Sequence, residues 1–287
     1  MLATLWWLVE RRIALERQQA LAVSLQSSAQ LAAAYEQQVY RTLKAAEQVA
    51  AFVREQYLRQ GARLPLSAWV EQGVIREAMF NIISVVDERG EIVSSSQATG
   101  RVNYADRDFF RLQRERRTDA LFVSPPVLGR VSGRWQVPMS LRITRADGSF
   151  AGVVVMSVDP GNFTAFYSEA DLGAQGLLEL TGLDGVVRGR KIGQESRFGM
   201  DAIRLPWFQQ QATQARGAFV DDGQEIDGVA RVLGYRRMDG YPLLVTVGTA
   251  VEDALAPVRQ RHTRYRVWMS GISVLLLVLV GVSLRRR

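Results

Sequence analysis

Few side chains in this chain could make or break bonds. Its 287 residues hold one histidine, His262, and no cysteine, which excludes disulfides, thiolate metal sites and thiol nucleophiles. His262 lies in RHTRYRV (261–267), next to a long apolar run, and reads as a helix residue near an interface rather than a general base. No Gly-rich stretch ends in Lys followed by Ser or Thr, so a phosphate-cradling loop has no sequence support. Asp221, Asp222, Glu225 and Asp227 cluster in one loop. That spacing suits carboxylate-pair hydrolysis or a weak Ca²⁺ loop, and equally a solvated hairpin connection. No cofactor or metal is implied. Lys and Arg number 36 against 29 Asp and Glu, a formal net charge of +7, but the arginines are dispersed. Their one tight cluster, RLQRERR (111–117), reads as a solvated helical face, so nucleic acid is not an expected partner.

Whatever recognition chemistry remains must be positioned by the surrounding elements. From Arg12 to Arg59 the sequence is rich in Ala, Gln, Leu, Glu and Arg and has neither Gly nor Pro, which predicts one long helix. Near-heptad spacing of Leu25, Ser28, Ala32, Tyr35, Val39, Thr42, Ala46, Val49 and Val53 marks its inward face. The expectation is a stalk that packs along its own domain and pairs with a twin subunit in a parallel homodimer, with Leu25, Ala32 and Val39 at the seam. Gly61, Pro65 and Gly73 then punctuate a helical stretch that leads into strands.

An internal repeat follows. VVDERGEIVSSS (85–96) and LTGLDGVVRGR (180–190) are each an apolar strand, an Asp-containing turn with Gly, and a second strand. TRADGSFAGVVVMSV (144–158) and RRMDGYPLLVTVGT (236–249) each open a buried β-branched strand from an Asp-Gly turn. Asp87 and Asp184 lie 97 residues apart, and Asp147 and Asp239 lie 92 apart. Offsets this close predict a duplicated α/β unit, each copy an antiparallel sheet with helices on its faces.

The ends are apolar. Trp268 to Leu284 runs WMSGISVLLLVLVGVSL without a charge, ahead of Arg285, Arg286 and Arg287. Seventeen helical residues rise about 25 Å, most of a bilayer's hydrocarbon core, so a C-terminal transmembrane helix is expected. Met1 to Val9 is about half a span and carries Trp6 and Trp7, as the outer part of a first transmembrane segment would; a short amphipathic membrane-surface anchor is the alternative. Arg259, Arg261, Arg264 and Arg266 precede the C-terminal run, so basic residues flank it on both sides.

This arrangement resembles the double Cache (dCache) extracytoplasmic sensor domain of bacterial chemoreceptors, histidine kinases and diguanylate cyclases. The resemblance covers nearly the whole chain and is most specific in RVNYADRDFFRLQ (101–113) and in residues 121–163. It implies an α+β fold with a long N-terminal helix, two PAS-like antiparallel-sheet modules and a C-terminal transmembrane helix. The implied segments are a partial first transmembrane segment (1–11), stalk helix (12–60), membrane-distal module (61–170), membrane-proximal module (171–250), juxtamembrane helix (251–266), transmembrane helix (267–284) and cytoplasmic stub (285–287).

The resemblance also implies a site. Amino-acid-binding members of the family grip their ligand with an arginine and aromatic residues ahead of the third strand, and with an aspartate after a later one. Arg107, Phe109 and Asp159 fall on that pattern. A guanidinium can hold a carboxylate through two charge-assisted bonds while an acid opposite receives an ammonium. Phe109 replaces a Trp, and Pro125 and Pro126 stand where an aromatic hydroxyl is expected. These departures point away from an α-amino acid and toward a carboxylate or another small polar metabolite. Tyr104 could add a hydroxyl. Strand alternation puts Trp135 on one face and Arg142 on the other, either a pocket or an exposed face. Asp159, before Pro160, equally fits a helix cap. The implied function is a membrane-anchored small-molecule sensor at the bacterial inner membrane, its soluble part extracytoplasmic, non-enzymatic, and acting through a cytoplasmic signalling domain or partner. The alternatives are a membrane-tethered extracytoplasmic hydrolase and a ligand-free assembly factor.

Overall fold

The computed structural model describes residues 2–75, 80–116 and 118–285. Helix α1 (Leu2–Gln60) is continuous, so residues 2–11 of the expected first segment and the stalk form one element. A short helix α2 (Leu66–Glu71) leads to the first sheet: β1 (Ile82–Asp87), β2 (Ile92–Ser95), β3 (Phe122–Val123), β4 (Val127–Leu128), β5 (Trp135–Thr144) and β6 (Phe150–Val158), with α3 (Asp108–Glu115) across it. Helices α4 (Pro160–Thr164) and α5 (Phe166–Glu169) connect to the second sheet: β7 (Leu177–Gly182), β8 (Val187–Ile192), β9 (Glu195–Arg197), β10 (Arg216–Asp221), β11 (Arg231–Arg237) and β12 (Leu243–Ala250), with α6 (Pro206–Gln210) inserted. Helix α7 (Val251–Arg285) ends the chain.

The strand orders are β2-β1-β6-β5-β3, with β4 also on β5, and β10-β11-β12-β7-β8-β9. Both contain one motif: a hairpin (β1–β2, β7–β8) whose first strand pairs antiparallel with the last strand of the module. The two sheets are separate and alike in topology, as the paired turns predict.

Strand periodicity sorts the side chains onto two faces. Ile83, Val85, Val137, Met139, Leu141, Val154, Met156, Leu178, Leu180, Val245 and Val247 share one core with Ala32, Tyr35, Val39, Leu43, Ala46, Ala50 and Val53 of α1. That core spans both modules, so α1 is the common spine. Its approach to the second sheet is close: a Cβ on Gly234 would sit 2.2 Å from the Ser28 carbonyl oxygen, and the Ser28 hydroxyl donates to Val232 O at 3.0 Å. The buried Tyr35 hydroxyl donates to Phe163 O at 2.7 Å.

This packing corrects the expected dimer seam. Ala32 and Val39 are 0% and 2% exposed against the chain's own sheets, because strands fill the groove that a twin helix would have occupied. The outward face of α1 carries Gln26, Gln30, Gln37, Arg41 and Gln48.

The C-terminal region also differs from expectation. Residues 267–284 are helical within α7, but among the described residues no helix is long and apolar enough to cross a membrane. Most side chains from 276 to 284, and the expected stub residues Arg286 and Arg287, lie outside the described residues. α7 runs antiparallel to the start of α1, joined by Trp6 Nε1 to Ser273 Oγ (3.1 Å), Arg266 to Glu10 (3.3 Å) and His262 to Glu16 (3.3 Å).

Candidate ligand pocket of the first module

The first sheet's other face, away from α1, carries Ile82 and Ser84 of β1, Gln136 of β5, and Val155 and Ser157 of β6. With Tyr104, Arg107, Phe109, Val127, Gly129 and Arg130 they line a single pocket. The polar residues interrupt otherwise apolar strands, and all three are buried, Ser84 at 2%, Ser157 at 3% and Gln136 at 6% exposure. Burying a hydroxyl or amide is costly unless it finds a partner. Ser84 pairs with Ser95 (3.1 Å) and Gln136 with Ser132 (3.2 Å).

Arg107 is the N-cap residue of α3 and holds extended backbone angles there. Its Nη2 donates to Leu128 O at 3.0 Å, while its Nε is buried without a partner. A guanidinium N–H left unpaired inside a pocket is a donor in want of an acceptor. Tyr104 packs edge-on against Phe109 at 5.4 Å. Burial pushes its hydroxyl pKa up, against the pull of Arg107 and Arg130, so it stays a neutral donor and acceptor.

The hairpin from β4 to β5 covers the pocket. Arg130 grips both oxygens of Asp106 (2.6 and 2.7 Å) and donates to Asn103 O at 2.5 Å. That bidentate partner holds the Asp106 carboxyl down at about 2. Gly129 turns tightly enough that a Cβ would meet Ser132 Oγ at 2.4 Å. The free volume inside is about 10 Å³, room for a single water at most. As it stands the pocket is too small for a metabolite.

Tyr104, Arg107 and Phe109 are thus brought together, whereas Trp135, Arg142 and Asp159 are not. Trp135 is 49% exposed at the strand's start and packs on Phe198 of the second module at 5.4 Å. Arg142 lies on the pocket's face but at the far end of β5, donating to the carbonyls of Gln113 (2.5 Å) and Arg114 (2.9 Å) and lying over the Phe150 ring. It closes the C-terminus of α3. Asp159 caps α4 by accepting from Gly161 N (2.8 Å) and sits 3.7 Å from Arg134. It does not face Arg107 across the pocket, so the ammonium-receiving role implied for it is dropped. Ser84, Gln136, Ser157 and the Asp106–Arg130 clasp escaped sequence reasoning. The legible signal for the serines was a single serine among the apolar residues of IISVVD and of FAGVVVMSV.

The second module fills the equivalent face. Arg190, Glu179, Thr246 and Tyr235 stand in one cross-strand row. Fully buried Glu179 accepts from Arg190 Nε, Trp207 Nε1 (3.0 Å) and Thr181 Oγ1 (2.7 Å). The modules meet where Arg188, held by Asp184 (2.7 and 2.8 Å), donates to Val123 O at 3.0 Å.

Known proteins share this build. Residues 160–248 match a family model described as dCache_1_like, a histidine kinase sensor domain. The extracellular domain assigned to a histidine kinase, rpHK1S-Z16, superposes with a TM-score of 0.73 at 25% identity, covering 82% of this chain and 98% of that one. The ligand-binding domain of the Campylobacter jejuni chemoreceptor Tlp3, in complex with 4-methylisoleucine, gives 0.57 at 10% identity over 82% and 94%. That of the Pseudomonas fluorescens chemoreceptor CtaA, in complex with L-alanine, gives 0.56 at 11% identity over 77% and 94%. No curated protein sequence matches the chain. Two similar sheets strung on one long helix are the build this chain shares with those extracellular sensor and ligand-binding domains. In fold, and over residues 160–248 in sequence, the chain resembles the double Cache sensor domains.

Proposed function

We propose that this chain is the signal-input part of a bacterial transmembrane receptor, and that its first module binds a small polar ligand carrying a carboxylate. The observation that carries this reading is the buried, unpartnered Nε of Arg107 in a pocket shared with Tyr104, Ser84 and Ser157. A carboxylate would accept from Arg107 and Tyr104, in a geometry that only an anion with two acceptor atoms uses fully. Phe109 supplies an apolar wall. The same wall, in place of an indole N–H, disfavours the α-amino acids that the Tlp3 and CtaA structures contain.

Ligand entry must part the hairpin from the Asp106–Arg130 clasp. β5 pairs with β3, whose Val123 carbonyl is held by Arg188 of the second module, so movement of the hairpin has a direct path to that module and on to α7. In this reading α7 and the start of α1 sit in the bacterial inner membrane through 1–11 and 267–284, with the modules outside, and two copies form a homodimer. A shift of α7 against α1 is the output, taken up by a cytoplasmic signalling domain or partner. A ligand biases such an equilibrium only by its difference in affinity for the two states.

No observation favours hydrolysis by the acidic loop. Asp227 is held bidentately by Arg231 (2.6 and 2.7 Å), while Asp221 and Asp222 accept from the turn N–H groups of Gly223 and Gln224. A thermal-shift screen of the chain against small mono- and dicarboxylates tests the proposal, since a ligand of the native state raises its melting temperature with concentration. Stabilisation by carboxylates and not by their amides is expected. Stabilisation by neither, or by both alike, would contradict it.

A further inference from the structure

The antiparallel pairing of α1 with α7 gathers an unusual density of positive charge. Residues 10–17 and 259–266 face each other and contain seven arginines against two glutamates, a net charge of +5. Both glutamates are already engaged, Glu10 by Arg266 (3.3 Å) and Glu16 by Arg12 (3.1 Å). Arg17, Arg259, Arg261 and Arg264 form no ion pair among the described residues. Between the helices lies a cleft of about 440 Å³ lined by Arg17, Arg259, His262, Thr263 and Arg266 over an apolar floor of Leu255 and Val258. Like charges held this close repel unless an anion sits among them.

Position along the helices narrows the anion. Trp7 and Trp268 are 58% and 72% exposed, and indoles concentrate where hydrocarbon meets headgroup. Arg11 lies over the Trp7 ring at 5.2 Å and Arg12 over Tyr265 at 5.7 Å. At about 1.5 Å rise per residue, Arg266 stands roughly 3 Å from Trp268 and Thr263 roughly 8 Å, which is the depth of a bilayer's headgroup layer. Arg259 and Arg17 stand roughly 14 and 15 Å from Trp268 and Trp7, on the outer side of that layer. A basic cluster on the module side of an apolar run runs against the charge bias expected there, and neutralisation by the adjoining leaflet accounts for it.

We infer that the cleft between α1 and α7 binds the phosphate of an anionic phospholipid headgroup, fixing the two helices relative to each other where they leave the soluble modules. The inference rests on the membrane reading above. The test reconstitutes the full chain in phosphatidylcholine vesicles containing a minor, equal fraction of brominated phosphatidylglycerol or brominated phosphatidylcholine, and reads tryptophan quenching. Brominated phosphatidylglycerol should quench several-fold more at equal mole fraction. The doubly substituted R17Q/R259Q chain, which leaves both glutamate pairs intact, should lose the difference while still inserting. Equal quenching by the two lipids in the unaltered chain overturns the inference and leaves the membrane reading standing, whereas quenching by neither removes the membrane reading itself. A parallel arm titrates inorganic phosphate into the chain in neutral detergent. A melting temperature raised by free phosphate as much as by phosphatidylglycerol assigns the cleft to a soluble phosphate and overturns the lipid assignment.

Discussion

Replacing Glu179 by alanine should destabilise the second module more than any other single polar substitution described above. Glu179 is fully buried, Arg190 is 7% exposed, and their ion pair is closed by the Trp207 indole and the Thr181 hydroxyl. Truncation leaves a buried guanidinium without its counter-charge, which costs about 3–5 kcal/mol. The orphaned indole N–H and hydroxyl move the cost toward the upper end of that range. In a domain of this size about 1 kcal/mol corresponds to roughly 2–4 °C, so the melting temperature should fall by roughly 6–20 °C. Differential scanning calorimetry reads this directly, and the E179M/R190M double substitution should recover the part due to the unpaired guanidinium, but not the part due to the Trp207 and Thr181 donors, which still lack an acceptor. A fall below about 3 °C for E179A would show that water already reaches the pair and would refute the reasoning.

Gly152 has φ +132°, and a Cβ there would stand 2.0 Å from the Val86 carbonyl oxygen, so G152A should lower stability by at least about 3 kcal/mol, read by denaturant melts, and a change under about 1 kcal/mol would mean the β1–β6 register is wrong. The Asp106 carboxyl, held down by Arg130, should titrate near 2 by carboxyl NMR. Its folded pKa lies below the unfolded value, so the clasp's stabilisation is complete above about 4 and lost as pH falls through about 2; a midpoint at the ordinary aspartate value would mean the hairpin is not clasped. Cysteine at Val23, 67% exposed, should react at once with a thiol reagent in the native chain, while cysteine at Ala32 or Val39 should stay protected; fast labelling at 32 would restore that face to a dimer seam.

The fold was legible because its signals are local and repeated. Asp-Gly turns at matching offsets and uninterrupted strong helix formers over 12–59 fix the sheets and the spine without reference to tertiary contacts. The site was legible only in part. Arg107, Tyr104 and Phe109 lie within six residues on one turn and helix start, so they stay together in any fold that forms that turn. Asp159 and Arg142 come from strand ends, where side-chain direction depends on what each terminus must satisfy: a helix N-terminus claims Asp159, and the α3 carbonyls claim Arg142. The Asp106–Arg130 clasp joins residues 24 apart through a hairpin whose curvature no periodicity encodes. The expected pairing face of α1 failed for a related reason, since heptad spacing marks a buried stripe but cannot say whether a helix or a sheet buries it.

The central claim is that Arg107 is the anion-binding group of the first module, and isothermal titration of the best-stabilising small carboxylate into the native chain and into R107A tests it most directly. Arg107 is partly exposed and makes one hydrogen bond, to Leu128 O, so R107A should melt within about 2 °C of the parent, as surface-like substitutions do. Loss of a charge-assisted contact to a carboxylate should weaken binding by about 2 kcal/mol, roughly thirtyfold. Unchanged affinity in a folded R107A chain would contradict the account.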